Sequence, residues 1–130
     1  VDSCVGEGQI SYAGPGAVAR GRLALDILHQ RMELAGICCQ EIRGELIGVN
    51  SVFPQAEPAD DAPGEVRLRF VVRTDDLATA ARIGEEVESL YLNGPAGGGG
   101  VTKSTREVVA IVSGLLPEGH LKTHFEMMEA

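Results

Sequence analysis

An α+β domain, a four-stranded antiparallel sheet with two helices on one face, is what this sequence predicts, and three observations carry it. Residues 65–73 (EVRLRFVVR) alternate apolar and charged side chains at the period of a half-buried strand. The stretches beginning at Val18 and Leu77 repeat apolar residues at helical spacing. With shorter strand patterns around them, the elements follow the order β-α-β-β-α-β, which is the ferredoxin-like order. In that βαββαβ sandwich the strand order is 4-1-3-2.

Each element has its own reason. Residues 9–13 (QISYA) place Ile10 and Tyr12 on one face of a strand, and Gly14-Pro15-Gly16 stops it. In the first helix Val18, Gly21, Leu25, Leu28, Met32 and Ala35 keep one apolar stripe, and Gly36 stands where a C-terminal cap is expected. Segment 38–49 changes to strand spacing, with Ile42 and Leu46 opposed to Glu41, Arg43 and Glu45. A loop over 50–64, rich in Pro and Asp, leads to strand 65–73, where Val66, Leu68, Phe70 and Val72 face the core. Thr74 is placed to cap the second helix, with Asp75 and Asp76 in its first turn, where the helix dipole favours acids. Its buried stripe is Leu77, Ala80, Ile83, Val87 and Leu90. The glycine run in YLNGPAGGGG (91–100) ends that helix, and EVVAIV (107–112) forms the last strand. The domain therefore spans 9–116, between a lead-in of 1–8 and a tail of 117–130. Ile47, Val49, Val71, Val109 and Ile111 are expected on the outer face of the sheet, apolar enough to call for a covering partner.

The 130-residue length suits one domain with its own core. A net charge of −8, two Tyr, three Phe and no Trp argue against nucleic acid and anionic membranes as partners. Three cysteines, two of them adjacent (Cys38 and Cys39), suggest no disulfide framework, so a reduced, cytoplasmic protein is expected. No signal peptide is evident, and no apolar run approaches the roughly 20 residues of a membrane span. The start at Val1-Asp2, without Met, reads as a processed product or a piece of a longer polypeptide.

The expected topology brings three loops to one end of the sheet: Gly14-Pro15-Gly16, the 50–64 connection, and Asn93 to Gly100. The first runs into a helix N-terminus, whose unpaired amides and positive dipole end suit an anion. Candidate ligand-binding residues there are Gly14, Gly16, Arg20, Asn50, Ser51, Asn93, Gly94, Gly97, Gly98, Gly99, Gly100 and Lys103. A phosphate, a carboxylate or a CoA pyrophosphate would suit such an end, although neither GxxxxGK[ST] nor GxGxxG is present. The plainer reading is a tight turn at 14–16 and a flexible link or close-packed seam at 97–100. No catalytic group is assigned, Tyr12 being the remaining reactive side chain nearby.

Other motifs have simpler readings. His120 and His124 are one helical turn apart and with Glu126 could hold a metal, but Leu121, Phe125 and Met128 share a packing spacing, so no metal is expected. His29 lies off the stripe of the first helix. Cys38 and Cys39 read as small buried hydrophobes more readily than as a redox pair. Arg67, Arg69 and Arg73 could bind an acidic ligand, yet Glu41 and Glu45 across the hairpin account for them as cross-strand pairs.

The segments SYAGPGAVARGRLA (11–24), ELIGVNSVF (45–53), EVRLRFVVRT (65–74) and above all EVESLYLNGPAGGGG (86–100) resemble the C-terminal region of the acyclic terpene utilisation (AtuA-like) family. The likeness covers 9–116. It implies a small ferredoxin-like domain that follows a large N-terminal domain, associated with breakdown of acyclic terpenes and branched acyl groups as CoA esters. The expected role is a non-autonomous domain with little activity alone. It would dock on the large domain or a partner subunit, homo-oligomers included, with a CoA ester as ligand and no resident cofactor. The same β-α-β-β-α-β order also fits an ACT-like sensing module, or an acylphosphatase-like hydrolase in which Arg20 and Asn50 or Asn93 would act.

Overall fold

Side-chain alternation makes the strand over Glu65–Thr74, and its partners follow from the surfaces it offers. A computed structural model describes residues 3–37, 39–53 and 63–109. Its elements are β1 (Ser3–Ala13), α1 (Ala17–Leu34), β2 (Glu41–Ile47), β3 (Glu65–Thr74), α2 (Leu77–Glu88), the single turn α3 (Leu90–Asn93) and β4 (Gly98–Val108). The sheet is antiparallel throughout in the order β2-β3-β1-β4, which is the expected order read from the other edge.

Val66, Leu68, Phe70 and Val72 of β3 are buried, as their alternation predicts. They form one cluster with Ile10 and Tyr12 of β1, Leu28 and Met32 of α1, and Ile83 and Val87 of α2. Residues from both helices meet in that cluster, so both pack on the same face of the sheet. The stripe of α1 is as expected except that Ala24 takes the buried place and Leu25 is partly covered. Gly36, at φ +63, follows the helix and donates its amide to the Glu33 carbonyl at 3.1 Å.

The first strand begins at Ser3, six residues before the expected 9–13. Gly6 and Gly8 hide it from sequence patterning, because glycine has no strand preference and nothing to alternate. Packing supplies the reason for it. A Cβ on Gly6 would lie 2.1 Å from the Ala80 carbonyl oxygen, and one on Gly8 would lie 2.5 Å from Val87 Cγ2. Helix α2 therefore rests on β1 almost backbone to backbone.

Three further expectations are corrected. Thr74 does not cap α2: it is the last residue of β3, and its hydroxyl donates to the Asp76 carbonyl at 2.9 Å. The cap is Asp76, whose carboxylate accepts from the Thr79 amide at 2.7 Å, while Asp75 accepts from Gln40 at 2.6 Å. A side chain that reaches the third amide of the helix must stand just before it, and Asp76 does. The fourth strand is Gly98–Val108 rather than 107–112, of which 110–112 lie outside the described residues. The glycine run thus starts a strand as well as ending a helix. It can do so because, among the described residues, β4 is an edge strand paired on one side, against β1.

The outer face of the sheet is the third correction. It is a lattice of arginines and glutamates: Arg69 lies 3.0 Å from Glu45 and 3.0 Å from Glu7, and Arg43 lies 3.3 Å from Glu45. Ile47 (38% exposed) and the half-buried Val71 do lie on this face as expected, while Val49 packs against the core and Val109 is exposed just past β4. Ile111 lies outside the described residues, as do Cys38 and the 117–130 tail with His120, His124 and Glu126. Cys39 is half-buried against the core, and His29 meets Phe70 edge-on with ring centroids 5.4 Å apart.

Two measurements follow from this packing. Gly6→Ala should destabilise the fold in urea by about 1–3 kcal/mol or more, since the new methyl would meet backbone. Gly99→Ala should change stability by under about 0.5 kcal/mol, because a Cβ there meets nothing within 4 Å and its φ is not left-handed. For α2, the Thr79 amide holds the Asp76 carboxyl below its ordinary value of 3.8. A depressed folded-state value contributes stability above the unfolded-state value and loses it as pH falls through the folded one. The stability gap between the native chain and Asp76→Asn should therefore close as pH drops below about 4 in thermal melts at several pH values.

Candidate functional site

The three loops expected at one end of the sheet do meet there. The Gly14 amide donates to the Gly64 carbonyl at 2.6 Å, tying the turn after β1 to the connection before β3. Tyr12 pairs with Gly98, which sets the start of β4 beside that turn. Gly16 (φ +76) is the N-cap of α1, with no side chain to offer, and no acid lies in the first turn of the helix. Beside this N-terminus opens a cleft of about 880 Å³ walled by Gly14, Gly16, Val18, Arg22, Pro63 and Gly64.

Arg20 joins two of these segments, the turn after β1 and the stretch before β4. Its guanidinium donates to the carbonyls of Ala13 (2.5 Å), Pro15 (3.0 Å) and Ala96 (2.7 Å), the last lying 76 residues away in sequence. The fork of donors suits this, because one rigid plane reaches several acceptors. Gly97 makes it possible: its φ is +81, and a Cβ there would lie 2.7 Å from Arg20 Nη1. Arg20 is therefore a clasp on backbone rather than a cation presented to the cleft.

Beyond the clasp the glycine run is shaped by a bulge. Ser11 pairs with Gly99 and Gln9 with Thr102, so Gly100 and Val101 stand opposite Ile10. Gly100 takes the left-handed conformation (φ +65) that such a bulge uses, and its carbonyl accepts from Arg67 at 2.9 Å. The Val101 amide, turned out of the ladder, donates to the Tyr91 hydroxyl at 3.1 Å. A Cβ on Gly98 would lie 2.8 Å from Ile10 Cδ1, so the strand edge is drawn tight over the core. Tyr12, fully buried beneath it, has a hydroxyl with no hydrogen-bond partner among the described residues. Burial pushes its phenol up, and Arg20 partly opposes that.

The predicted site residues divide on this geometry. Gly14, Gly16, Arg20, Gly97, Gly98, Gly99 and Gly100 are brought to one edge. Asn50 is turned to structure, its side-chain oxygen accepting from the Leu46 amide at 2.9 Å, and Ser51 follows it, half-buried. Gly94 closes α3 through its amide to the Leu90 carbonyl, while Asn93 lines a separate pocket between α1 and α2 with Arg31 and Glu86. Lys103 points to the helix side, where it pairs with Glu88 at 3.0 Å over Gly84. Sequence reading missed Tyr91 and the Ala96 carbonyl, and it assigned Arg67 to a cross-strand pair with Glu41 or Glu45, whereas Arg67 bonds Gln9, Ser11, Thr102 and the Gly100 carbonyl. Arg67 had a visible signal, since its place near the start of β3 puts it opposite Ser11 at this end of the sheet.

Among the described residues no group of three His, Cys, Asp or Glu is arranged to hold a metal, and no helix is long and apolar enough to cross a membrane. The fold and this end define a class: a small α+β domain whose antiparallel sheet closes on a glycine-lined edge clasped by one arginine. The chain belongs to the acyclic terpene utilisation family, for the family model described as acyclic terpene utilisation family protein AtuA matches residues 2–127. That match takes in β1 from its first residue. Comparison with curated proteins returned no match.

Arg20→Ala should leave the core intact while loosening this end. Hydrogen exchange should speed up at Ala17 and across 97–101 and stay unchanged at Leu68 and Phe70. Arg20→Lys should recover only part of the protection, because a single ammonium cannot serve three carbonyls as a planar fork does.

Proposed function

We propose that this chain is a ferredoxin-like domain that serves acyclic terpene utilisation by lending its glycine-rich edge to a site for an acyl-CoA or other carboxylate. The family match carries the link to terpene utilisation. For the ligand, the supporting observation is the bare N-terminus of α1, capped by a glycine and opening on the cleft. The Ala17 amide is taken by the Gly14 carbonyl at 3.1 Å, so it is the amides of Val18 and Ala19, with the dipole end, that favour an oxyanion. Arg20 acts here as a positioning residue that holds the two glycine-rich segments side by side.

The same end supports docking on a large domain or a partner subunit. Val52 (96% exposed) and Phe53 follow the edge strand β2, and Tyr91 and Leu92 (91% exposed) precede the edge strand β4, and exposed apolar side chains of this kind favour a covering surface. A ligand held between this edge and a second surface would leave water on closure.

Thermal shift with CoA, branched acyl-CoAs and simple branched carboxylates tests the reading. A hundredfold excess over the dissociation constant should stabilise the fold by about 2.7 kcal/mol. Ala19→Glu, which sets a carboxylate in the first turn of α1 at an exposed position, should keep or raise the melting temperature and abolish the ligand shift. An undiminished shift in that variant would move the ligand elsewhere, and no shift with any of these compounds would remove the ligand role of this edge.

A further inference from the structure

The outer face of the sheet carries chemistry that neither the family match nor the glycine edge uses. Arg43, Arg67, Arg69, Arg73 and Arg106 stand on it, five of the 11 basic residues in a chain of net charge −8. Arg67 is taken by Gln9, Ser11, Thr102 and the Gly100 carbonyl, and Arg69 by Glu7 and Glu45. Another row of this face runs through Val5. There Glu41, Arg73, Val5 and Arg106 follow one another across all four strands. A recess of about 80 Å³ lies over Val5 and Val71, with Arg43, Arg69, Arg73 and Arg106 in its wall against the single carboxylate of Glu41. In that wall Arg106 Nε is shielded from solvent and has no hydrogen-bond partner among the described residues.

A shielded donor without an acceptor is costly, and a guanidinium edge is shaped for an oxyanion. Arg73 and Arg106 root on the strands either side of β1, two strand spacings or roughly 10 Å apart, so an anion over Val5 lies within reach of both. The volume admits one such group and no extended ligand. We infer that this recess binds a single small oxyanion, phosphate or carboxylate, held over Val5 by Arg106, with Arg73 beside it. The site lies on the side of the sheet away from the helices and does not depend on the role proposed for the glycine-rich edge.

Arginine Nε–Hε signals in nitrogen-proton NMR read the site directly. Titration of the whole chain with inorganic phosphate, and separately with acetate, should move the Arg106 signal along a saturable curve in at least one arm, with the Val5 and Val71 amides following. The better arm identifies the anion class. Arg31, which pairs with Glu86 at 3.0 Å between the helices, serves as the internal control and should stay still. Arg106→Gln should weaken the Val5 titration at least tenfold. Arg106→Lys, which keeps the charge and guards against a folding defect, should weaken it less. Equal movement of Arg31 and Arg106, the same movement in sodium chloride of matched ionic strength, or a Val5 titration unchanged in both variants would each overturn the inference.

Discussion

Helix α2 lies so close to β1 that no side chain fits between them at Gly6 and Gly8, and much of the architecture depends on that approach. It draws Ile83 and Val87 down onto Ile10 and Phe70 and so closes the core. It also makes a central strand of a segment with little strand preference of its own, and β4 in turn pairs with that strand. Close packing of this kind tolerates little added volume. Similar economy recurs at Gly21, where a Cβ would meet Leu46 at 2.9 Å beneath α1.

At the glycine-rich end the same logic runs from side chain to backbone. Arg20 gathers three carbonyls from two distant segments, and Gly97 gives it room. Such a clasp holds the turn whose Gly14 carbonyl takes the Ala17 amide, and the next amides of α1, at Val18 and Ala19, follow beside the cleft. What this edge offers a ligand is therefore backbone donors and a dipole, with the arginine as support. The bulge at Gly100 and its ties to Arg67 and Tyr91 hold the other wall in register.

The two faces of the sheet answer different constraints. One is filled by the core. The other distributes charge by row, with Arg69 bracketed by carboxylates and Arg106 left with a shielded donor beside Val5. In a chain of net charge −8, this sets five of the 11 basic residues on one surface, interleaved with Glu7, Glu41, Glu45 and Glu65.

Sequence alone determined the elements whose evidence is local. The alternation in 65–73 and the stripes through Leu28 and Ile83 report which side of each element is buried, and burial is what sets them. Element order then constrained the strand neighbours and hence the meeting of the glycine-rich loops. Only the tertiary structure decided the rest. Glycine carries no periodic signal, so the early start of β1 and the start of β4 emerged from what packs on them. Asp76 displaced Thr74 as a cap because cap geometry depends on where the helix begins to turn. Register, which a single strand does not contain, set Arg73 and Arg106 on either side of Val5. Arg20 is the sharpest case: a cation beside a helix N-terminus reads as an anion ligand in one dimension, and three carbonyls reach it only when the chain is folded.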